Sequence, residues 1–152
     1  GNFKLKISNP TMTSDQAVHV YTAHVPIRWG DLDAMGHVNN SRYFTFFEQA
    51  RVQWLQSLSD EWNFSRVGPM LAHASCDFRR PVPYPSTLKI DMYAEEPGRT
   101  SLKTYYEVRT GEEDSMLYAQ GEATLVWVDS DTERPKPLPD TFRAALPAPS
   151  SS

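Results

Sequence analysis

The strongest hydrophobic pattern of the chain lies between residues 41 and 58. Apolar side chains recur there every three or four residues, which is the spacing of one face of a helix. The positions are Tyr43, Phe46, Phe47, Ala50, Trp54, Leu55 and Leu58, with Phe44 and Val52 widening the stripe. We predict a helix from Ser41 to Leu58, about 27 Å long at about 1.5 Å per residue. Its wide apolar face indicates that other elements wrap around it.

Alternating apolar and polar positions predict strands on both sides of this helix. Before it, Val25, Ile27 and Trp29 predict one half-buried strand, with order beginning near Val18. After a polar break come four more alternating segments, at 70–79, 88–95, 102–109 and 117–127. The succession predicts an α+β fold in which a five-stranded antiparallel sheet wraps around one long central helix.

The two ends of the chain lack this periodicity. Residues 1–16 are polar, and we predict a flexible N-terminal arm. Residues 17–146 form a single predicted domain, in which Asp140 caps a short helix from Thr141 to Leu146. Residues 147–152 are predicted to be a disordered tail. A chain of 152 residues is long enough to bury one core.

Composition excludes several functions. The net charge of −4 and a sequence pI near 5.5 give no basic field for nucleic acid. No segment approaches the roughly 18 apolar residues of a membrane span. The four histidines and the single cysteine, Cys76, show no metal-ligand spacing, so no metal site is predicted. One cysteine and the absence of an apolar leader favour a cytoplasmic protein.

The chemistry-bearing residues cluster just before the long helix. Asp31 and Asp33 lie in a turn with Gly30 and Gly36, and residues 37–40 read His-Val-Asn-Asn. The first N–H groups of a helix have no internal partners and carry the positive end of its dipole, so they can polarise a carbonyl. A carboxylate beside them supplies a nucleophile or a general base, which is the arrangement of acyl transfer. The alternative is a turn that only caps the helix, with Asn39 or Asn40 as the capping residue.

This segment resembles a known family signature. Asp33-x-x-Gly36 followed by His-Val-Asn-Asn, an aromatic residue and Glu-x-Ala-Arg at 48–51 resembles the 4-hydroxybenzoyl-CoA thioesterase-like family of hotdog-fold acyl-CoA thioesterases. The segments at 77–81, 98–101 and 119–123 resemble its later landmarks, so that residues 23–146 are covered. The resemblance implies a hotdog fold and hydrolysis of an acyl-CoA to a free acid and CoA. It implies no cofactor, since CoA is part of the substrate.

The resemblance also implies roles for residues near the turn. Asp33 corresponds to the carboxylate that attacks the thioester or activates water. The backbone N–H of Asn40, or a close neighbour, is the expected donor to the carbonyl oxygen. His37 either orients the substrate or water, or bonds its own loop. Asp31 is expected to be structural, holding the turn or pairing with Arg28.

Glu48, on the predicted helix, is a second candidate for the catalytic carboxylate. Glu48 and Arg51 lie one turn apart and are expected to form a structural ion pair. In another branch of hotdog thioesterases the acid lies on the helix, which keeps Glu48 as a minor rival to Asp33.

The phosphates of CoA require basic residues near the site. By resemblance, Arg99, Thr100 and Ser101 form the hairpin that contacts CoA, with Arg79 and Arg80 as second candidates. The alternative is that these residues do not bind CoA and that their charges are simply solvated at the protein surface. Hotdog active sites lie at subunit interfaces, so the resemblance implies a homodimer or a homotetramer, paired through an open sheet edge near the last strands.

Three other functions share these residues. An acyl-carrier-protein thioesterase would cleave the same bond, but the Asn of its Asp-Asn-His scheme corresponds here to Met35. A hotdog hydratase would show Asp and His separated by four residues, and Asp33 to His37 is one residue short. A non-catalytic acyl-CoA-binding protein would not need Asp33.

Overall fold

The computed structural model describes residues 16–58, 66–111 and 116–147, so the predicted arm and tail lie almost entirely outside the described residues. This part contains five strands and two α-helices. They are β1 (Val18–Pro26), α1 (Arg42–Leu58), β2 (Val67–Phe78), β3 (Thr87–Ala94), β4 (Ser101–Thr110), β5 (Ala119–Asp129) and α2 (Asp140–Arg143).

The strands form one antiparallel sheet in the order β1-β3-β4-β5-β2, and α1 connects the two edge strands. The predicted α+β hotdog arrangement, a five-stranded antiparallel sheet with one long helix, is confirmed. Neither α-helix in the described residues is both long and apolar enough to cross a bilayer.

The core lies between α1 and one face of the sheet. The apolar stripe of α1 is buried, as its periodicity predicts, and Phe47 stacks on Tyr106 of β4 with ring centroids 4.7 Å apart. Alternate residues of β3 and β5 are also buried, because successive side chains of a strand point to opposite faces. Beyond β5, Phe142 of α2 packs against Trp127 at 6.1 Å.

Gly121 on β5 allows α1 to approach the sheet closely. A Cβ at this position would lie 2.7 Å from Cζ of Phe47 and 3.1 Å from the carbonyl oxygen of Ser75. Real side chains do not tolerate the first distance, and the Phe47 ring is confined by its stack on Tyr106. The absence of a side chain at Gly121 therefore sets the distance between helix and sheet.

We expect Gly121→Ala to lower the free energy of unfolding by about 1–3 kcal/mol, since overpacking displaces a buried ring. The melting temperature should fall by about 2–4 °C per kcal/mol in a domain of this size. Gly30→Ala is the matched control, because a Cβ there meets nothing within 4 Å. Equal melting temperatures for the two variants, measured by circular dichroism, would contradict this account of the packing.

Trp29 does not continue β1, contrary to the prediction. β1 ends at Pro26, and Trp29–Asp31 form a 3₁₀ turn in which the Trp29 side chain is 77% exposed. The backbone N–H of Asp31 donates to the carbonyl of Arg28 at 2.9 Å, and the N–H of Arg28 donates to the Asp31 carboxylate at 2.8 Å. These two bonds close the turn and end the alternation.

The predicted inner face of β2 is correct only in its second half. A register shift between Leu71 and His73 interrupts the pairing of β2 with β5. Ala74, Cys76 and Phe78 stand opposite the inward residues of β5, whereas Met70 stands opposite Val126 on the outer face. A bulge of this kind inserts a residue and exchanges the faces, which simple alternation does not predict.

The open edge predicted near the last strands is not formed by the last strands themselves. β4 and β5 are internal strands, each hydrogen-bonded on both sides, and the edges are β1 and β2. The last strand is internal because the chain lays β5 between β4 and the earlier strand β2. An open edge next to β5 therefore belongs to β2.

The expected ion pair between Glu48 and Arg51 does not form. Arg51 is only 8% exposed and turns toward the sheet, where its Nη1 donates to the Tyr106 hydroxyl at 3.4 Å. Its guanidinium also lies 6.0 Å from the centroid of the Tyr106 ring. Glu48 stays on the exposed side of α1, so a spacing of one turn does not bring the two charges together.

Candidate active site

The loop between β1 and α1 folds back on itself and places the predicted catalytic residues at one end of the sheet. Leu32 and Val38 form a short antiparallel bridge. Between them, the N–H of Asp33 donates to the carbonyl of His37 at 2.8 Å, and the N–H of Gly36 donates to that of Asp33 at 3.0 Å. Gly36 has φ +81°, a conformation that favours glycine and allows this tight return.

Asp31 anchors the base of this loop, as predicted. Its side chain is 2% exposed and accepts from the N–H of Arg28 at 2.8 Å and from Nη2 of Arg28 at 3.2 Å. Nε of Arg42, the first residue of α1, lies 3.6 Å away. Burial acts to raise the pKa of Asp31, but the hydrogen bonds from Arg28 and the charges of Arg28 and Arg42 outweigh it and hold the pKa below its ordinary 3.8.

Asn39 caps α1, and Asn40 keeps a free N–H. The side-chain oxygen of Asn39 accepts from the N–H of Ser41 at 3.0 Å and from its hydroxyl at 2.9 Å. The N–H groups of Arg42 and Tyr43 donate to the carbonyls of Asn39 and Asn40. Within the described residues the N–H of Asn40 has no acceptor, so a first-turn donor remains available to a ligand.

The carboxylate of Asp33 is held by one oxygen. Its Oδ1 accepts from the N–H of Met35 at 2.9 Å and from the N–H of His37 at 3.2 Å. In the described part of the chain no donor lies on Oδ2. The loop therefore fixes the direction of the carboxylate and leaves one oxygen available for chemistry.

A depression of about 260 Å³ brings most of the predicted site together. It is lined by Asp33, His37, Val38, Asn40, Phe78, Arg79, Arg80 and Pro81. Asp33, His37 and Asn40 are all exposed, and the ring of His37 makes no hydrogen bond to a described residue. An exposed carboxylate oxygen and an unpaired N–H just before α1, both beside one cavity, are the parts that hydrolysis of an acyl group requires.

Arg79 and Arg80 reach the depression from the far edge of the sheet. Their backbone N–H groups donate to the carbonyl of Tyr118 at 2.8 and 3.2 Å, which fixes the chain as it leaves β2. Nη2 of Arg79 donates to the side chain of Gln120 at 3.1 Å. The exposed side chain of Arg80 supplies a positive charge at the rim.

Arg99, Thr100 and Ser101 lie at the opposite end of the sheet from the depression. They precede or begin β4, whose other end, Thr110, is on the side of Asp33. Ten residues of strand separate the two ends by about 30 Å, at about 3.3 Å per residue. Within one chain these three residues are not brought to the depression.

The sequence prediction missed Phe78, Val38 and Pro81 as lining residues. The sequence pattern placed Phe78 and Pro81 only in a strand and its exit and Val38 only in the loop before the helix, and no sequence signal marks an apolar side chain as part of a cavity. Cys76, two residues before Phe78, is not a rival nucleophile. Burial, helped by the charge of Asp77, raises the pKa of its thiol to about 12, so the reactive thiolate is scarce at neutral pH.

A second depression, of about 320 Å³, lies on the β1 side of α1. It is lined by Val25, Pro26, Arg28, Asp31, Thr45, Phe46 and Gln49. Its only carboxylate belongs to Asp31, which is already tied to Arg28. The larger cavity therefore lacks a free catalytic group.

Comparison with known proteins agrees with this architecture. The long-chain acyl-CoA thioesterase FadM of Escherichia coli is 27% identical over 125 residues, 80% of this chain and 93% of FadM. The chain spans only 56% of the length of YsmA from Bacillus subtilis, to which it is 28% identical over 82 residues.

Solved structures extend the likeness to three dimensions. A 1,4-dihydroxy-2-naphthoyl-CoA thioesterase from Synechocystis shares the fold, with a TM-score of 0.72 at 22% identity over 82% of this chain and 93% of that one. The protein PA2801 of Pseudomonas aeruginosa, described as a candidate thioesterase, is 38% identical, with a TM-score of 0.77 over 84% of this chain and 98% of its own. The profile of the family described as the thioesterase-like superfamily matches residues 27–146. The chain therefore belongs to the thioesterase-like superfamily.

Proposed function

We propose that the protein hydrolyses acyl-CoA thioesters to a free acid and CoA, with Asp33 as nucleophile or general base. The observation that carries this proposal is the pairing of a free Asp33 oxygen with the unpaired N–H of Asn40 along one depression. The name of FadM, which is a long-chain acyl-CoA thioesterase, supports CoA esters as the substrate class. The Asp-x-x-Gly-His-Val-Asn-Asn segment supports placement in the 4-hydroxybenzoyl-CoA thioesterase-like branch.

The chemistry follows from this arrangement. The thioester oxygen would accept from the N–H of Asn40, and the positive end of the α1 dipole would stabilise the charge that develops on it. As a general base, Asp33 removes a proton from water while the water oxygen bonds to the carbonyl carbon. The C–S bond then breaks, and the sulfur of CoA leaves with the proton. As a nucleophile, an Asp33 oxygen instead bonds to the carbonyl carbon, the C–S bond breaks and CoA leaves as the thiolate, which takes a proton from solvent; water then hydrolyses the acyl anhydride and releases the free acid and the Asp33 carboxylate.

We further propose that two copies pair through their β2 edges. In a two-fold antiparallel pairing, the Phe78 end of one β2 meets the Val67 end of the other. The hairpin before β4 lies at the Val67 end of the sheet, because Ser101, Val126 and Met70 share one row across β4, β5 and β2. Arg99 of the partner subunit would then approach the depression lined by Asp33, which Arg99 of the same chain does not reach. Leu71 of β2, 46% exposed, supplies apolar surface on this edge strand.

Thiol release from a panel of acyl-CoAs tests the proposal. The panel holds short aliphatic, long aliphatic and aromatic esters, and we expect at least one to be hydrolysed with kcat near 1 s⁻¹ or above, about the lower end for enzymes. The best acyl group is then presented on an acyl carrier protein, and the corresponding enoyl-CoA is followed for addition of water. No thiol release from any CoA ester would reject the proposal, and preference for the carrier protein or the enoyl-CoA would select the corresponding rival function.

A further inference from the structure

We propose that Phe78 limits the size of the acyl group that reaches Asp33. This inference rests on the proposed thioesterase activity and adds a determinant of its specificity. Phe78 is the last residue of β2, lines the depression together with Asp33, His37 and Asn40, and is 41% exposed. A large apolar ring with this exposure beside a candidate catalytic carboxylate has a surface available to an apolar substrate group.

The ring of Phe78 is held in place. It meets the buried Tyr43 of α1 edge to face, with ring centroids 5.1 Å apart and planes inclined by 76°. Its backbone stands opposite Ala119 of β5, and the next N–H, of Arg79, is bonded to Tyr118. Aromatic pairs of this geometry contribute about 0.5–1.5 kcal/mol beyond the burial of their area. Phe78 therefore acts as a fixed wall.

The other apolar residues that line the depression are less able to limit the size of the acyl group. Val38 is 3% exposed, so little of its side chain is available to a substrate. Pro81 has a short, rigid ring. Phe78 is thus the one large apolar side chain of this depression.

Short side chains lie behind this wall. Along the inward face of β2, Phe78 is preceded by Cys76 and Ala74, which are half-buried and carry much smaller side chains. The depression, at about 260 Å³, is smaller than the roughly 300–1,000 Å³ of typical small-molecule sites. Truncation of Phe78 would extend it over Cys76 and Ala74, in the direction that leads along β2 away from Asp33.

The test compares Phe78→Ala with wild type on acyl-CoAs of increasing size. We expect kcat/KM for long or bulky acyl groups to rise relative to short ones by about 10-fold or more, the discrimination that a few methylene groups provide in an apolar pocket. Tyr84→Ala is the matched control. Tyr84 is an aromatic residue of similar exposure, 43%, at the same end of the sheet, but it does not line the depression.

The outcomes separate this inference from the proposed activity. Hydrolysis by wild type with an unchanged ratio of long to short substrates in Phe78→Ala would overturn the role of Phe78 and leave the activity intact. No hydrolysis by wild type would instead reject the activity itself. Circular dichroism establishes that the variant is folded, and Phe78→Leu, which keeps an apolar contact with Tyr43, replaces Phe78→Ala if it is not. With Phe78→Leu a smaller shift in the same direction is expected, and no shift contradicts the inference.

Discussion

Replacement of Asp33 by Asn is expected to lower kcat for thioester hydrolysis by about 10²- to 10⁴-fold if the carboxylate acts as a general base. The amide keeps an oxygen that can accept from the N–H groups of Met35 and His37, so the loop should retain its shape. What disappears is the negative charge and the basic oxygen at the Oδ2 position. Because the change leaves binding groups in place, the loss should fall on kcat more than on KM.

A matched control isolates the position of the charge. Asp77→Asn removes an exposed carboxylate at the end of β2, on the face of the sheet away from α1. We expect it to change kcat by less than about twofold, since Asp77 does not line the depression and its exposed charge is screened by solvent and salt. Thiol release is measured for wild type and both variants on the best acyl-CoA. A fully active Asp33→Asn enzyme would exclude Asp33 as the catalytic carboxylate and would favour Glu48 in that role.

The elements of the fold were predictable because their signals are local. The stripe from Tyr43 to Leu58 follows the period of a helix, and the buried positions of β3 and β5 follow the period of a strand. The predicted positions of residues are wrong where a hydrogen-bonded turn or an inserted residue interrupts the alternation of a strand. The turn closed by Arg28 and Asp31 exposes Trp29, and the bulge after Leu71 exchanges the faces of β2.

Only those residues of the candidate site that are close together in the sequence were predictable as a group. Asp33, His37 and Asn40 lie within eight residues, so the loop alone brings them together. Phe78 and Arg80 join them because β2 pairs with β5 and ends at the same side of the sheet, which depends on strand order. The direction and length of β4 explain why Arg99 lies at the far end of the chain's own sheet, a separation that a motif along the sequence does not reveal.

Replacement of Asp31 by Asn is expected to lower the free energy of unfolding at pH 7 by about 2–4 kcal/mol. The Asp31 carboxylate is almost fully buried, and it joins the turn after β1 to the first residue of α1 through Arg28 and Arg42. An amide keeps one acceptor but loses both charge interactions. The cost stays below that of a fully buried pair, because the arginines are 74% and 42% exposed and can be solvated. Asp131→Asn, at an exposed position, should change stability by less than about 0.5 kcal/mol.

Acid gives an independent check on the Asp31 interaction. Because the pKa of Asp31 is lowered in the folded protein, the unfolded chain takes up this proton first as the pH falls. The stabilisation by Asp31 is therefore present above the ordinary pKa of 3.8 and is lost as the pH drops below it toward the folded value. Urea unfolding at pH 7 and near pH 3 should show the difference between wild type and Asp31→Asn narrowing in acid. A difference that is the same at both pH values would mean that the charge of Asp31 does not anchor the loop that carries Asp33.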